Sequence, residues 1–254
     1  MKTAAGEFKS ALSRKTLQIG TFMKTPSMMI AEVLALTQLD VCCIDAEHSP
    51  FDRKDIDAAV LAFRAHDKPV LVRLRDSSDS EILNALDCGA SGIVVPHVDS
   101  PDIARQIVKK SYYGAAGRGY AGSSRFAKYT HSPLMENIQN SHFQTTIIAQ
   151  IEDLAALACI DAIMEVGGID CFFIGVMDLT VALGATDVNE PEVQSAVEKI
   201  VNSAKAFNRT LGMFVPSIEA VPFWQDKGVS LFLLNSDHGF IKQGVAQLLS
   251  TLKK

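Results

Sequence analysis

Short apolar runs rich in β-branched residues recur along the chain, and each is followed by a longer stretch in which apolar residues return at helical spacing. Eight runs read as strands: Leu17–Phe22, Val41–Asp45, Val70–Leu74, Gly92–Val95, Thr146–Ile151, Cys171–Gly175, Leu211–Val215 and Leu231–Asn235. Continuous apolar runs of this length fit strands buried on both faces. Between them, segments such as Asp55–Ala65 carry Ile56, Ala59, Val60 and Phe63 on one face, the pattern of a helix lying against a sheet.

This alternation predicts an α/β protein with a parallel sheet covered by helices. Eight strand–helix units are the number that closes a (β/α)8 TIM barrel, and closure leaves no strand edge exposed. An open doubly wound sheet is the other arrangement of the same elements. No G-x-G-x-x-G follows the first strand, so its dinucleotide-binding form has no support. No repeat or composition shift divides the chain, and residues 1–254 are expected to form one domain. The stretch from Gly114 to Thr130 holds Gly117-Arg118-Gly119 and exceeds an ordinary connection, so a functional loop is expected between strands four and five.

With 254 residues, 48% of them hydrophobic, the chain can bury one large core. A net charge of -5 and the absence of any Lys/Arg cluster longer than a pair give no field for nucleic acid. No apolar run spans a bilayer, and Lys2, Glu7, Lys9, Arg14 and Lys15 interrupt the start too often for a signal peptide. The five cysteines lack C-x-x-C spacing, which argues against a zinc knuckle or a disulfide framework. A cytoplasmic protein with reduced, mostly buried thiols is expected. Cys42 and Cys43 are neighbours on one strand and should point to opposite faces.

Barrel active sites lie at the C-terminal ends of the strands. Strand two ends in Asp45-Ala46-Glu47-His48, strand three carries Arg73, strand five runs through Gln150 into Glu152, and Asp178 follows strand six. Each has a plain structural reading: Asp178 as a helix cap, Glu152 as a cap or a lysine partner, Arg73 as a paired strand cation, His48 with Asp45 as a hydrogen-bonded pair. Their convergence on one rim favours chemistry over four separate accidents. Two carboxylates without a nearby Cys or second His suit a hard divalent ion, Mg²⁺ or Mn²⁺ and also Co²⁺. Such an ion leaves positions for a 2-oxo acid and acidifies its methyl group, Arg73 shares the developing charge, and His48, oriented by Asp45, moves the proton. A Schiff-base lysine is the other route to this chemistry, and Lys24, just after strand one, is the lysine placed to serve it.

Six stretches in order, Ile44–Pro50, Val72-Arg73-Leu74, Leu86–Ala90, Gly117-Arg118-Gly119, Gln150-Ile151-Glu152 and Phe173–Leu179, make the chain resemble the HpcH/HpaI family of class II pyruvate aldolases over nearly its whole length. The resemblance implies a barrel of the phosphoenolpyruvate/pyruvate-domain type with Glu152 and Asp178 as metal ligands. It implies that Arg73 binds the keto oxygen, that His48 and Asp45 handle protons, and that Gln150 lies beside the metal. The substrate carboxylate would meet the N–H groups of Met177 and Asp178 after Gly175. It further implies a hexamer, a trimer of dimers, that exchanges the last helix, roughly Gly239–Leu252.

The chain departs from the family pattern at Val176-Met177, where a bulky Met narrows the pocket, and at Ser111–Gly114. Phe22 stands where a Trp is usual and is expected to touch substrate. His97 and His238 are additional, and either is a candidate for recognising a second, anionic substrate. The activity implied is cleavage of a 4-hydroxy-2-oxo acid to pyruvate and an aldehyde. Oxaloacetate decarboxylation, a citrate-forming condensation, a citrate-lyase-type thioester reaction and a non-catalytic 2-oxo-acid-binding barrel are the alternatives.

Overall fold

A strand buried on both faces needs side-chain partners on both sides, and a closed barrel surrounded by helices provides them. The computed structural model describes residues 3–250. Its strands are β1 (Gln18–Met23), β2 (Val41–Asp45), β3 (Val70–Arg73), β4 (Gly92–Val95), β5 (Thr146–Ile151), β6 (Cys171–Ile174), β7 (Leu211–Val215) and β8 (Val229–Ser236). They pair in parallel in chain order, and β8 returns to β1 to close the barrel. The expected strands match to within a residue or so, except that β8 begins two residues early, at Val229.

Alternation along each strand sorts the core into two sets. Inside the barrel lie Phe22, Cys43, Leu71, Val94, Ile148, Cys171, Phe173, Leu231 and Leu233. Outside, Cys42, Val70, Val72, Ile93, Ile147 and Phe172 meet the helices. Cys42 and Cys43 therefore face opposite ways as expected, and all five cysteines are free. The helix expected over Asp55–Ala65 runs from Arg53 to Ala65, because Asp52 and Asp55 form a reciprocal capping box that satisfies the first N–H groups.

The sequence reading missed one element. Residues Ala4–Ser13 form a helix that delivers Phe8 and Leu12 into the interior cluster, so the N-terminal end of the barrel is plugged. The Lys9 ammonium pins this helix, donating to the Tyr112 hydroxyl (2.9 Å) and the Thr145 carbonyl (2.6 Å) and pairing with Asp170 (3.1 Å). Its buried residues Phe8, Ala11 and Leu12 stand at i, i+3 and i+4, the helical spacing that was the signal for it.

The long connection after β4 contains the helix Pro101–Ser111 and then no regular element until the helix Leu134–Gln144. Arg118 anchors it: its guanidinium is buried 4.0 Å from the Tyr113 ring centre and 4.7 Å from that of Phe126. Its Nε also lies 3.5 Å from Asp87. Tyr112, by contrast, stacks on His142 at 4.4 Å. At the other terminus the last helix spans Asp237–Ser250; the end expected at Leu252 lies outside the described residues. Among the described residues no helix is long and apolar enough to cross a membrane.

Leu12 is fully buried at the plugged end, so Leu12→Ala should destabilise the protein by about 2–5 kcal/mol, the cost of a cavity in a packed core. Chemical denaturation measures this, and an unchanged midpoint would show that the plug adds nothing.

Candidate active site

The unplugged, C-terminal end of the barrel opens into a cavity of about 650 Å³ lined in part by Phe22, Lys24, His48, Arg73, Gln150, Gly175, Met177 and Asp178. A period of two along each strand brings polar residues here: Asp45 and Glu47 extend β2 inward, and Gln150 and Glu152 do the same for β5.

Asp45 is the most deeply buried of the charges, with its carboxylate fully enclosed. Arg73 donates to its Oδ1 from Nε (3.0 Å) and approaches from Nη2 (2.8 Å), Lys24 Nζ lies 2.5 Å from Oδ2, and the His48 backbone N–H donates to Oδ1 (3.2 Å). Burial would raise this carboxyl, but Arg73, Lys24 and the His48 N–H outweigh it and hold it below the usual carboxylate range. Asp45 thus fixes His48 through its backbone. The His48 imidazole itself reaches toward Glu47, with Nε2 3.7 Å from Oε2. Lys24 is ion-paired with Asp45, so it is not the free amine that a Schiff base requires.

Glu152 is buried, accepting the His97 backbone N–H at 2.8 Å and the Gln150 side-chain amide. Gly175 makes this placement possible: a Cβ there would stand 2.7 Å from Glu152 Oε2. Burial raises the Glu152 carboxyl and the charge of Asp178 adds to the effect, against the opposing influence of Gln150 and His97. Asp178 is the third residue of the helix Val176–Ala182 and is exposed, so it is not the helix cap, a position held by Gly175. Met177 is 60% exposed at the cavity edge.

Arg73 lies 4.5 Å from the Phe22 ring centre, and Phe22 packs against Phe173 and Phe214. Phe22 thus supports the guanidinium as well as lining the cavity. His238 hydrogen-bonds Thr25 (3.0 Å), and Asp237 accepts the backbone N–H groups of Lys24 and Thr25, holding the loop after β1.

The residue that sequence reasoning left without a role is Glu47. Its side chain is 10% exposed, Oε2 lies 3.3 Å from Arg73 Nε without hydrogen-bond geometry, and Oε1 lies 3.7 Å from His97 Nε2. Burial raises its carboxyl despite the nearby Arg73, His48 and His97. Its position two residues after Asp45 was the signal that could have found it. Glu47, His97 and Glu152 each offer a ligand atom within 4.8 Å of the others. The donor set fits a divalent cation, because Glu47 Oε2 and Gln150 Oε1 are buried without hydrogen-bond partners.

A family model described as HpcH/HpaI aldolase/citrate lyase matches residues 18–237. The chain is 30% identical over 250 residues to a 5-keto-4-deoxy-D-glucarate aldolase of Enterobacter sp. (strain 638), covering 98% of this chain and 97% of that one. Its fold superposes on an HpcH/HpaI aldolase/citrate lyase family protein from Burkholderia cenocepacia J2315 with a TM-score of 0.92 at 26% identity, over 98% of this chain and 100% of the other. The citrate synthase SbnG gives a TM-score of 0.85 at 29% identity, covering 96% of each chain. With its barrel, its rim of charges and a match spanning β1 to the end of β8, the chain belongs to the HpcH/HpaI aldolase/citrate lyase family.

Proposed function

We propose that this protein is a divalent-metal-dependent class II aldolase that cleaves a 4-hydroxy-2-oxo acid into pyruvate and an aldehyde, and runs the condensation in reverse. The observation that carries this reading is a barrel mouth where Glu47 lies 3.3 Å from the Arg73 guanidinium and 3.7 Å from the His48 imidazole, and where Glu47, His97 and Glu152 offer ligand atoms within 4.8 Å of one another. Glu152, with Asp178 on the same rim, would hold Mg²⁺, Mn²⁺ or Co²⁺. When bound, the metal supplies Lewis-acid polarisation of the 2-oxo group.

The protein's own groups do the rest. In cleavage the His48 imidazole takes the proton of the 4-hydroxyl, the C3–C4 bond breaks, and the aldehyde carbonyl forms. The electron pair passes into the pyruvate enolate, whose oxygen charge falls beside Arg73, and a proton returned to C3 completes the methyl group. Gln150 holds Glu152, Asp45 holds Arg73 and the His48 backbone, and the N–H groups after Gly175, at Met177 and Asp178, face the substrate carboxylate.

The far wall of the cavity is apolar, formed by Met213, Phe214, Val215, Pro216 and Trp224. The lysine and arginine that line the cavity, Lys24 and Arg73, are both ion-paired with Asp45, and Arg73 already serves the enolate oxygen, so neither is left for a second acid. This favours an aldehyde over a second polyanionic acid as the condensation partner, and so an aldolase over a citrate-forming enzyme. A cytoplasmic location is supported by five unpaired cysteines, which suit a reducing compartment.

A hexamer built as a trimer of dimers is the proposed assembly. The last helix meets the barrel at β8 and β1 but leaves Phe240, Ile241, Val245 and Leu249 exposed, and the helix Met28–Ala35 exposes Met28, Met29 and Val33. Two such faces suit exchange of the last helix between copies.

Methyl-proton exchange of pyruvate in D₂O, followed by NMR, should require Mg²⁺ or Mn²⁺ and disappear in Glu152→Ala. His48→Ala should slow it on the order of 10²–10⁴-fold. Exchange by the wild type in the presence of chelator, or retained in Glu152→Ala, would refute the reading. Light scattering should give six times the chain mass, falling to smaller species in Ile241→Asp; a wild-type monomer would exclude the assembly.

A further inference from the structure

We infer that His97 is itself a ligand of the metal, through Nε2, with Asp153 as the carboxylate that orients it, so that this site prefers a late first-row ion such as Co²⁺ over Mg²⁺. The inference rests on the metal-dependent reading above and adds a nitrogen donor to what would otherwise be an all-oxygen site.

His97 was expected at the mouth as a possible receptor for an anionic second substrate. Its ring lies among three carboxylates instead: Nδ1 is 3.1 Å from Asp153 Oδ2 and 3.5 Å from Glu152 Oε1, and Nε2 is 3.7 Å from Glu47 Oε1. That surrounding repels an anion and attracts a cation. A histidine that binds metal through one ring nitrogen commonly donates the other N–H to a carboxylate, which fixes both tautomer and orientation. The Nδ1–Asp153 contact supplies that arrangement and leaves Nε2 directed toward Glu47.

The spacing also suits an ion. Bonds of about 2.1 Å put adjacent ligand atoms of an octahedron roughly 3.0 Å apart and opposite ones roughly 4.2 Å apart. The 3.7 Å between His97 Nε2 and Glu47 Oε1 falls in that interval and beyond hydrogen-bond length, and Glu152 offers its oxygen within 4.8 Å of the other two ligand atoms. A second, independent feature points the same way. Gln150, whose amide nitrogen is bonded to Glu152, has its Oε1 buried without a hydrogen-bond partner, with the residue 2% exposed.

The backbone places His97 there at a cost. Its φ is 54°, a left-handed conformation that a non-glycine residue seldom adopts, and in that conformation its own N–H donates to Glu152 (2.8 Å). One residue thereby positions a carboxylate with its backbone and offers a nitrogen with its ring. Imidazole raises affinity for Co²⁺ and its neighbours in the series far more than for Mg²⁺, which binds oxygen almost alone.

The test uses the whole chain loaded with Mn²⁺ or titrated with Co²⁺ and Mg²⁺. Pulsed electron paramagnetic resonance of the Mn²⁺ form should detect directly coordinated ¹⁴N in the wild type and lose it in His97→Ala. Co²⁺ affinity should fall at least about tenfold in that variant, with a smaller change for Mg²⁺, so the Co²⁺/Mg²⁺ preference shrinks. Asp153→Asn should keep the ¹⁴N coupling but weaken Co²⁺ binding by about 10–100-fold. The His97 ring is more than half exposed, and unchanged circular dichroism checks that both variants fold. Bound Mn²⁺ without ¹⁴N coupling, coupling that survives in His97→Ala, or an unaltered Co²⁺/Mg²⁺ ratio would overturn the inference. Metal-dependent pyruvate exchange in the same preparation would then leave the aldolase reading standing, whereas a wild type that binds no divalent ion removes both.

Discussion

A carboxylate with no access to water must be neutralised from within the protein, and Asp45 sets that demand at the mouth of the barrel. It is met from three places: Arg73 at the end of β3, Lys24 just beyond β1, and the backbone of His48 after β2. One buried charge therefore holds the three strands of this sector in register and aims a guanidinium into the cavity. Removing either cation would leave a buried charge partly uncompensated, which is costlier than losing a surface pair.

The other carboxylates at the mouth are in the opposite condition. Asp45 has more positive partners than its burial requires and stays readily ionised, whereas Glu47 and Glu152 have fewer and are pushed toward protonation. A cavity that over-satisfies one acid and under-satisfies two others on the same rim is electrostatically incomplete. A divalent cation completes it, and Glu47 Oε2 and Gln150 Oε1 are buried there without hydrogen-bond partners. The arrangement separates the two tasks a 2-oxo acid sets: Arg73, held by Asp45, is available to oxygen charge, and the unneutralised pair is available to a metal.

Chemistry at one end depends on closure at the other. Phe8 and Leu12 fill the N-terminal end of the barrel, and Lys9 locks that helix onto Asp170, Tyr112 and Thr145. The interior is therefore a packed core that opens at the end where the polar ends of β2, β3 and β5 gather, which keeps those side chains in a low-dielectric setting where their interactions are strong.

The barrel was legible in the sequence because eight double-buried strands must be apolar throughout and their covering helices must carry one apolar face. Position at the C-terminal ends of the strands was enough to select Asp45, His48, Arg73, Gln150, Glu152 and Asp178 as candidates. Short-range pattern could not reveal what depends on distance between strands. The N-terminal helix shows helical spacing in Phe8, Ala11 and Leu12, but that it plugs the barrel appears only when the barrel's open end is present. That Asp45 serves the His48 backbone and two cations, that Glu47 stands among Arg73, His48 and His97, and that His97 turns through a left-handed backbone toward Glu152 all follow from the spatial order β1-β2-β3-β4-β5. Hydrophobic periodicity thus determined the elements and which residues face inward, while the charge partners were decided only when closure brought residues far apart in sequence within reach of one another.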